Sequence, residues 1–307
     1  MKIISFGSMN MDKVYQVENF VRPGETIRAR SLQQAVGGKG LNQSVAAARA
    51  GACVVHAGAV GEDGGLLRET LEKAGADTSA ILTLPGQSGH AIIQVDSEGD
   101  NCIIVFGGSN QSLTEDYVDE ILKEKGQEGD IALMQNETNL VPYMMQKAHE
   151  AGLKVAFNPS PIPSHIEELP LECVDIFLVN KVEGAAMAAM EGEGFRPEEV
   201  LEGLSARYPS AVLVLTLGSK GVLCKMGNEV YAHDIYPVKT VDTTGAGDTF
   251  CGYFLAGLCQ GKPVEQCLEQ ASAASALAVS KPGAAPSIPH REEVEEFLRT
   301  EKTSRQV

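Results

Sequence analysis

The stretch best suited to chemistry is a run of small residues that ends in an acid. Gly245, Ala246 and Gly247 are small enough to let backbone N–H groups approach an anion, and the sequence from Thr249 onward predicts a helix. A helix N-terminus preceded by glycines collects unpaired N–H donors at the positive end of the helix dipole. This arrangement suits the negative charge on a phosphoryl group during its transfer.

Asp248 stands at the same place, where a carboxylate would repel a bound phosphate. Its position suits a base that accepts the proton of an attacking hydroxyl, as in other phosphoryl transfers. The alternative is an N-cap residue that satisfies the first helical turn beside an ordinary glycine loop. Spacing alone does not separate the two interpretations, because Gly-x-Gly-Asp is a weak pattern.

Strand-like runs alternate with helical sequences along the 307 residues. The predicted strands are residues 2–7, 53–60, 131–135, 154–158, 176–180 and 211–218, and the predicted helices include residues 41–50 and 112 or 114–125. The strand runs lack polar alternation, which is typical of parallel strands covered on both faces. The order predicts an α/β fold with a doubly wound, mostly parallel central sheet and helices on both faces.

Two segments, residues 12–36 and 88–106, depart from this order. They alternate apolar with polar residues and contain Gly-Glu or Glu-Gly turn signals, so they predict half-buried antiparallel strands. We expect them to form a small β-sheet lid inserted in a large α/β domain of residues 1–11, 37–87 and 107–307. The charged tail after Arg299 is expected to fray.

Charge and composition exclude several classes of protein. The formal net charge is −16 and no basic run is present, which argues against a nucleic-acid partner. The seven cysteines are scattered without metal-ligand spacing, so they are expected to be reduced thiols. The sequence has no signal-peptide pattern and no apolar stretch of about 20 residues, so we expect a cytoplasmic protein without a membrane span.

Two longer motifs carry a resemblance to a known family. GGKGLNQSVAAARAGA at 37–52 and DTTGAGDTF at 242–250 resemble the two signatures of the ribokinase (PfkB) family of carbohydrate kinases. GSMNMD, PGET, LMQNE, TLGSKG and KPGAAPSIP follow in the family's order, and this collinearity is more specific than either motif alone. The resemblance implies ATP-dependent phosphorylation of a small sugar, with D-ribose as the first choice and D-ribose 5-phosphate as its product.

The resemblance also implies a sugar site with a catalytic centre beside it. The implied sugar ligands are Asn10, Asp12, Gly38, Lys39, Gly40, Asn42, Glu137 and Asp248, and the implied catalytic group is Asp248 with Gly245, Ala246 and Gly247. A polyhydroxylated ring needs several hydrogen-bonding groups at fixed positions. Without the resemblance, Asn10 and Asp12 could instead cap a turn, and Asn42 could cap the following helix.

For the nucleotide, the resemblance implies a second group of residues. Asn180 and Glu183 match an element associated with Mg²⁺ and phosphates, and the implied ATP residues are completed by Thr216, Leu217, Gly218, Ser219, Lys220, Gly221, Gly247 and Ser272. Lys220 could equally be a solvated turn lysine, and Ser272 could be a plain packing residue.

A monovalent cation, K⁺, is implied beside the anion hole. Asp242 and Thr244 match one half of its site, and the other half comprises Ala278, Lys281, Gly283 and Ser287, mainly through backbone carbonyls. The cation would order the loop that presents residues 245–248. The family also implies a homodimer formed through the lid.

Three residues depart from the family's pattern, and several alternatives stay open. Leu41 replaces a common alanine, His90 enters the lid strand as a surface residue, and Pro282 stiffens the cation loop. Alternative acceptors are deoxyribose, a ketohexose or the ribose of a nucleoside, and a catalytically silent sugar sensor is a further alternative. A dinucleotide-dependent oxidoreductase is disfavoured because no GxGxxG follows the first strand.

Overall fold

The apolar runs of the sequence form the strands of a nine-stranded sheet. The computed structural model describes residues 1–192 and 194–304. Within this part the strands are β1 (Ile3–Phe6), β2 (Asn10–Gln16), β3 (Ser31–Gly37), β4 (Val54–Val60), β5 (Ile81–Thr83), β6 (Gly89–Val95), β7 (Asn101–Phe106), β8 (Ile131–Gln135), β9 (Lys154–Asn158), β10 (Ile176–Asn180), β11 (Val212–Thr216), β12 (Val222–Met226) and β13 (Glu229–His233).

The large sheet has the strand order β13-β12-β11-β10-β9-β8-β1-β4-β5. Its pairings are parallel from β5 to β11, and β12 and β13 add an antiparallel edge. All six strands predicted for this sheet are present, and the short edge strands β5, β12 and β13 were not predicted. Because parallel strands end at the same edge, the carboxyl ends of β1, β8, β9, β10 and β11 meet on one side of the sheet.

Helices cover both faces of this sheet, as the doubly wound prediction requires. The helices are α1 (Lys39–Arg49), α2 (Gly65–Ala74), α3 (Glu115–Lys125), α4 (Val141–Glu150), α5 (Lys181–Met187), α6 (Pro197–Arg207), α7 (Ala246–Cys259), α8 (Val264–Val279) and α9 (Arg291–Ser304). One buried apolar cluster packs α1, α2, α7, α8 and α9 against the sheet, and a second packs α3 to α6 against the other face.

Helix boundaries differ from the predictions at two places. Helix α7 begins at Ala246, three residues before Thr249, because Gly245 adopts a left-handed φ of 72° and its carbonyl accepts the Thr249 N–H at 2.8 Å. Helix α9 continues to Ser304, so the fraying predicted after Arg299 is wrong for residues 300–304; residues 305–307 lie outside the described part. Thr114 caps α3 as predicted, accepting the Tyr117 N–H at 3.2 Å.

The small sheet consists of two antiparallel hairpins with the order β3-β2-β6-β7. A parallel pairing of β2 with β6 joins the hairpins, a connection that the sequence did not indicate. Its register sets Asn10 opposite Gly37 on one side and opposite Gly89 on the other. Since β2 begins at Asn10, the small sheet starts directly beside the carboxyl end of β1.

Candidate active site

The glycine loop before α1 brings this helix against the end of β1. A Cβ atom on Gly40 would lie 2.3 Å from Gly7 Cα, so neither position leaves room for a side chain. Gly38 takes a φ of 93°, which favours glycine, and the Leu41 N–H donates to Ser8 O at 2.9 Å. Leu41 is fully buried in the apolar core. The loop therefore fixes the first turn of α1 at the edge where the parallel strands end.

Asp248 lies in the first turn of α7 and faces α1. Its Oδ2 accepts a hydrogen bond from Asn42 Nδ2 at 3.0 Å, and its Oδ1 accepts one from Gln43 Nε2, also at 3.0 Å. The residue at the N-cap is Gly245, so the N-cap interpretation of Asp248 is wrong. Asn42 lies inside α1 rather than capping it, and only 8% of Asp248 is exposed.

A lysine shares this buried region with three carboxylates. Burial raises the pKa of Asp248, opposed by attraction to Lys39. Burial alone would lower the pKa of the Lys39 ammonium, but Asp248, Glu137 and Glu183 outweigh it and hold that pKa above its usual value. The ionisation of the three acids and that of Lys39 depend on one another. A bound anion would add further negative charge here, so it would need an accompanying cation.

Glu137 fixes the loop from the opposite side. Its Oε2 accepts the Lys39 N–H at 2.9 Å and a short hydrogen bond from Ser8 Oγ. Burial raises the pKa of Glu137, and burial together with Glu137 raises the pKa of Asp12 to about 6. The two acids are near enough for their charges to interact, so donors of one ligand could bind both.

Asn10 and Asp12 both belong to β2, so the interpretation that they cap a turn is wrong. Asn10 Oδ1 accepts a hydrogen bond from Asn110 Nδ2 at 2.8 Å. Asn110 also binds the backbone of Met9, with its Oδ1 3.0 Å from the Met9 nitrogen. The Asn110 side chain thus fixes the orientation of the Asn10 side chain, a role that sequence reasoning missed.

A cavity of about 250 Å³ opens where α7 begins. Lys39, Asn180, Glu183, Gly245, Ala246, Gly247 and Asp248 line it, together with Asn158, Ser160, Thr216, Thr243 and Cys251. A Cβ atom on Gly247 would meet nothing within 4 Å, so the bare backbone of α7 faces open space. The first-turn N–H groups of a helix have no partner inside the helix, which makes this cavity suitable for an anion.

Asn180 and Glu183 form the cap of α5 on the wall of this cavity. Asn180 Oδ1 accepts the Val182 and Glu183 N–H groups at 2.9 Å each, and Glu183 Oε2 accepts the Asn180 N–H at 2.9 Å. This capping box holds the Glu183 carboxylate at the carboxyl end of β10. One buried carboxylate beside an anion hole suits Mg²⁺, which takes one or two protein carboxylates and relies on phosphates and water for the rest.

A second cleft, of about 520 Å³, adjoins the first and shares Thr216, Thr243, Ala246 and Gly247 with it. Of the predicted nucleotide residues, Gly218, Ser219, Gly221 and Ser272 also line it. The unpredicted apolar residues Ile235, Tyr236, Pro237, Val238, Phe250 and Val279 form part of its wall. Leu217 and Lys220 do not line it, since Leu217 packs against the core and Lys220 is exposed in its turn. The apolar wall suits a nucleobase.

The loop before α7 is tied to the loop after α8 through Asp242. Its Oδ1 accepts the Thr244 N–H at 2.9 Å and the Thr244 hydroxyl at 2.6 Å, while its Oδ2 accepts the Gly283 N–H at 2.8 Å. Burial would raise the pKa of Asp242, but these hydrogen bonds outweigh it and hold that pKa below its usual value. The Lys281 ammonium pairs with Glu293 at 2.8 Å, on the protein surface. Asp242 and Thr244 of one loop are therefore neighbours of Gly283 of the other.

His90 lies on β6, where its ring is half buried and packs against Phe106 with a centroid distance of 4.9 Å. This placement agrees with a surface residue of the small sheet.

Comparison with known proteins adds to this geometry. Residues 1–291 match the family described as "pfkB family carbohydrate kinase". A ribokinase of Haemophilus influenzae is 36% identical over 299 residues, which cover 95% of this chain and 96% of that protein. A ribokinase of Bacillus subtilis is 35% identical over 301 residues, with 96% and 99% covered. The structure of Arabidopsis thaliana ribokinase complexed with ribose and ATP has a TM-score of 0.85 at 30% identity, covering 97% of this chain and 98% of that one.

Proposed function

Because this chain belongs to the pfkB family of carbohydrate kinases, we propose that it transfers the γ-phosphoryl group of ATP to D-ribose, giving D-ribose 5-phosphate and ADP. The observation that carries this proposal is the position of Asp248. Its carboxylate interacts electrostatically with Glu137, which in turn interacts with Asp12, and it lines the cavity at the N-terminus of α7. A sugar hydroxyl held beside these acids would thus have a base next to it and an anion site beyond it. The full-length ribokinase relatives favour ribose over the other acceptors.

In this proposal the transfer is in line, and the protein contributes positioning and charge. Asp248 accepts the proton of the sugar's O5 hydroxyl as that oxygen attacks the γ-phosphorus and ADP leaves. The N–H groups in the first turn of α7 stabilise the charge on the transferring phosphoryl group. The attraction to Asp248 helps to hold the pKa of the Lys39 ammonium above its usual value, so Lys39 supplies a positive charge beside the base.

ATP would occupy the two adjoining cavities, with its base in the apolar cleft and its phosphates toward α7. Glu183 and Asn180 would hold the Mg²⁺ ion. When bound, Mg²⁺ neutralises charge on the phosphates and orients them. Among the described residues no group of three or more His, Cys, Asp or Glu side chains could hold a metal by itself. We therefore expect the metal to depend on the nucleotide for most of its ligands.

The small sheet, in this proposal, is a lid over the sugar that excludes water and limits hydrolysis of ATP. Support comes from Asp12, which belongs to strand β2 of this sheet, so movement of the lid would move a sugar ligand. The proposed lid comprises residues 12–36 and 88–106, and the remainder of the chain is the large domain.

We further infer a homodimer in which the lids of two copies pair. Edge strand β7 exposes four consecutive apolar residues, Ile103, Ile104, Val105 and Phe106, each more than half accessible. An exposed apolar edge of this kind marks an interface with another protein surface. Sedimentation should therefore give a dimer for the wild type and a monomer for Ile104→Lys, and a monomeric wild type would contradict the inference.

A K⁺ ion between the two loops joined by Asp242 is also part of the proposal. Oxygen ligands from both loops would stiffen the segment that presents Gly245 to Asp248. Replacing K⁺ by tetramethylammonium at equal ionic strength should lower kcat several-fold for the wild type. Asp242→Ala should be slow in both salts, because the loops are no longer joined. Equal wild-type activity in both salts would contradict the cation site.

One feature supports a location in the cytoplasm. All seven cysteines are free thiols, which is typical of a reducing compartment. No helix of residues 1–192 and 194–304 is long and apolar enough to cross a membrane. Detection of the native protein in the soluble cytosolic fraction would test this location.

The experiment that tests the function is ADP release with ATP, Mg²⁺ and K⁺ against ribose, deoxyribose, fructose, tagatose and adenosine. We expect the highest kcat/KM with ribose. A preference for another acceptor would retain the chemistry and overturn the substrate. ATP binding without turnover on any acceptor would favour the silent sugar sensor.

A further inference from the structure

A chain of buried amide groups runs from the interior of the large sheet to Asp248. Gln135 and Asn158 are paired residues at the ends of β8 and β9, and Gln43 lies across from them on α1. Gln135 Nε2 donates to Gln43 Oε1 at 2.8 Å. Gln43 Nε2 donates to Asn158 Oδ1 at 3.1 Å and to Asp248 Oδ1 at 3.0 Å.

The direction of this chain is determined by a backbone carbonyl. Asn158 Nδ2 donates to Leu178 O at 2.7 Å, and a carbonyl can only accept. The side-chain oxygen of Asn158 must therefore face Gln43, which in turn must present its NH₂ group. Both hydrogens of that group are used, one on Asn158 and one on Asp248. If the Gln43 amide were rotated by 180°, its oxygen would face two acceptors, Asn158 Oδ1 and Asp248 Oδ1.

Gln43 is fully buried. The other hydrogen bond to the Asp248 carboxylate comes from Asn42, and the charged and titratable groups around it are Lys39 on α1, Glu137 after β8, Glu183 on α5 and Cys251 on α7. Asn42 belongs to the proposed sugar site, so its amide is shared with the substrate. Gln43 is not among the proposed sugar ligands, so the N–H that it donates to Asp248 serves the base alone.

We propose that Gln43 is a positioning residue that holds Asp248 as an ionised base in a fixed orientation, with its own amide direction set by Asn158. The proposal rests on the proposed function, because it assigns Gln43 a role in the action of Asp248. A donated N–H stabilises the charged form of a carboxylate, so its loss favours the protonated form, which cannot accept a proton.

The test compares Gln43→Met with Ser44→Ala. Ser44 is the next residue of α1, equally buried, and its hydroxyl binds His56 Nδ1 at 2.8 Å rather than Asp248. Gln43→Met should lower kcat by about 10- to 100-fold at neutral pH, the effect of a lost hydrogen bond to a charged group. The acid limb of its kcat profile should move to higher pH, so that alkaline buffer restores part of the activity. Ser44→Ala should leave the acid limb in place, even if thermal stability falls.

A double-mutant cycle with Asp248→Asn completes the test, because Gln43→Met should have little further effect once the base is gone. A loss of kcat that is equal at all pH values, or that adds fully to that of Asp248→Asn, would overturn the proposal. If Gln43→Met does not fold, Gln43→Asn shortens the amide by one methylene and gives the same readout. Wild-type protein without sugar-dependent ADP release would refute the proposed function instead, so the two failures are distinguishable.

Discussion

Replacing Asp248 by Asn should lower kcat for ribose by about 10²- to 10⁴-fold, the range that a positioned general base contributes. The fold should persist for a structural reason. Asn42 Oδ1 is buried without a hydrogen-bond partner, so the Asn42 amide can turn over and accept from the new NH₂ group at 248. The substitution also removes a buried acid whose pKa is raised by its burial, which limits the cost to stability.

The measurements are steady-state ADP release together with calorimetric titration of ribose and of ATP. Binding of both ligands should stay within a few-fold of wild type, so the loss falls on kcat. Asp116→Asn, which neutralises an exposed acid in the first turn of α3, is the matched control and should behave as wild type. Near-normal turnover by Asp248→Asn would exclude the proposed base.

Replacing Gly247 by Val should lower kcat/KM by about 10²- to 10³-fold, comparable to the loss of a donor from an oxyanion hole. A side chain at this position would project into the space shared by the two cavities, where the ATP phosphates are proposed to lie. Gly247→Ala should give an intermediate loss. Because the position is helical and open, the alanine variant should be as stable as the wild type or more stable, by about 0.5–1 kcal/mol.

The matched control for Gly247 is Gly65→Val. Gly65 also lies in the first turn of a helix, α2, and a Cβ atom there would likewise meet nothing within 4 Å, but the residue is exposed and lines neither cavity. Activity and the melting temperature should be measured for all three variants. If Gly247→Val keeps full activity, the phosphates do not pass over α7. If it unfolds while Gly65→Val does not, the position is structural.

Much of the fold could be predicted because its signals are local. The apolar runs at 131–135, 154–158 and 176–180 form β8, β9 and β10 because strands covered on both faces need continuous apolar sequence. Thr114 and the Asn180–Glu183 pair carry their capping chemistry within four residues. The edge strands β12 and β13 were missed because they are short, partly exposed and carry weaker patterns.

The residues of the candidate site likewise divide into those with a local sequence signal and those without one. Its signature residues, Lys39, Asn42 and Asp248, were found because they stand in two compact motifs. Asn110 and Asn158 were missed because they act through hydrogen bonds to residues at least 100 positions away in the sequence, Asn10 and Gln43 respectively. A lone asparagine or glutamine carries no sequence signal of the partner that it will meet in the folded protein.

The sequence by itself determined the class of fold, the two motifs and the residue types that could serve as base and anion site. Local propensity and apolar periodicity are properties of neighbouring residues, so they can be read without coordinates. Only the tertiary structure decided that Asp248 lies in the first turn of α7 rather than at its cap, and that β2 pairs in parallel with β6. It alone also decided the direction of the amide chain, since hydrogen bonds between distant segments exist only once the strands and helices have packed.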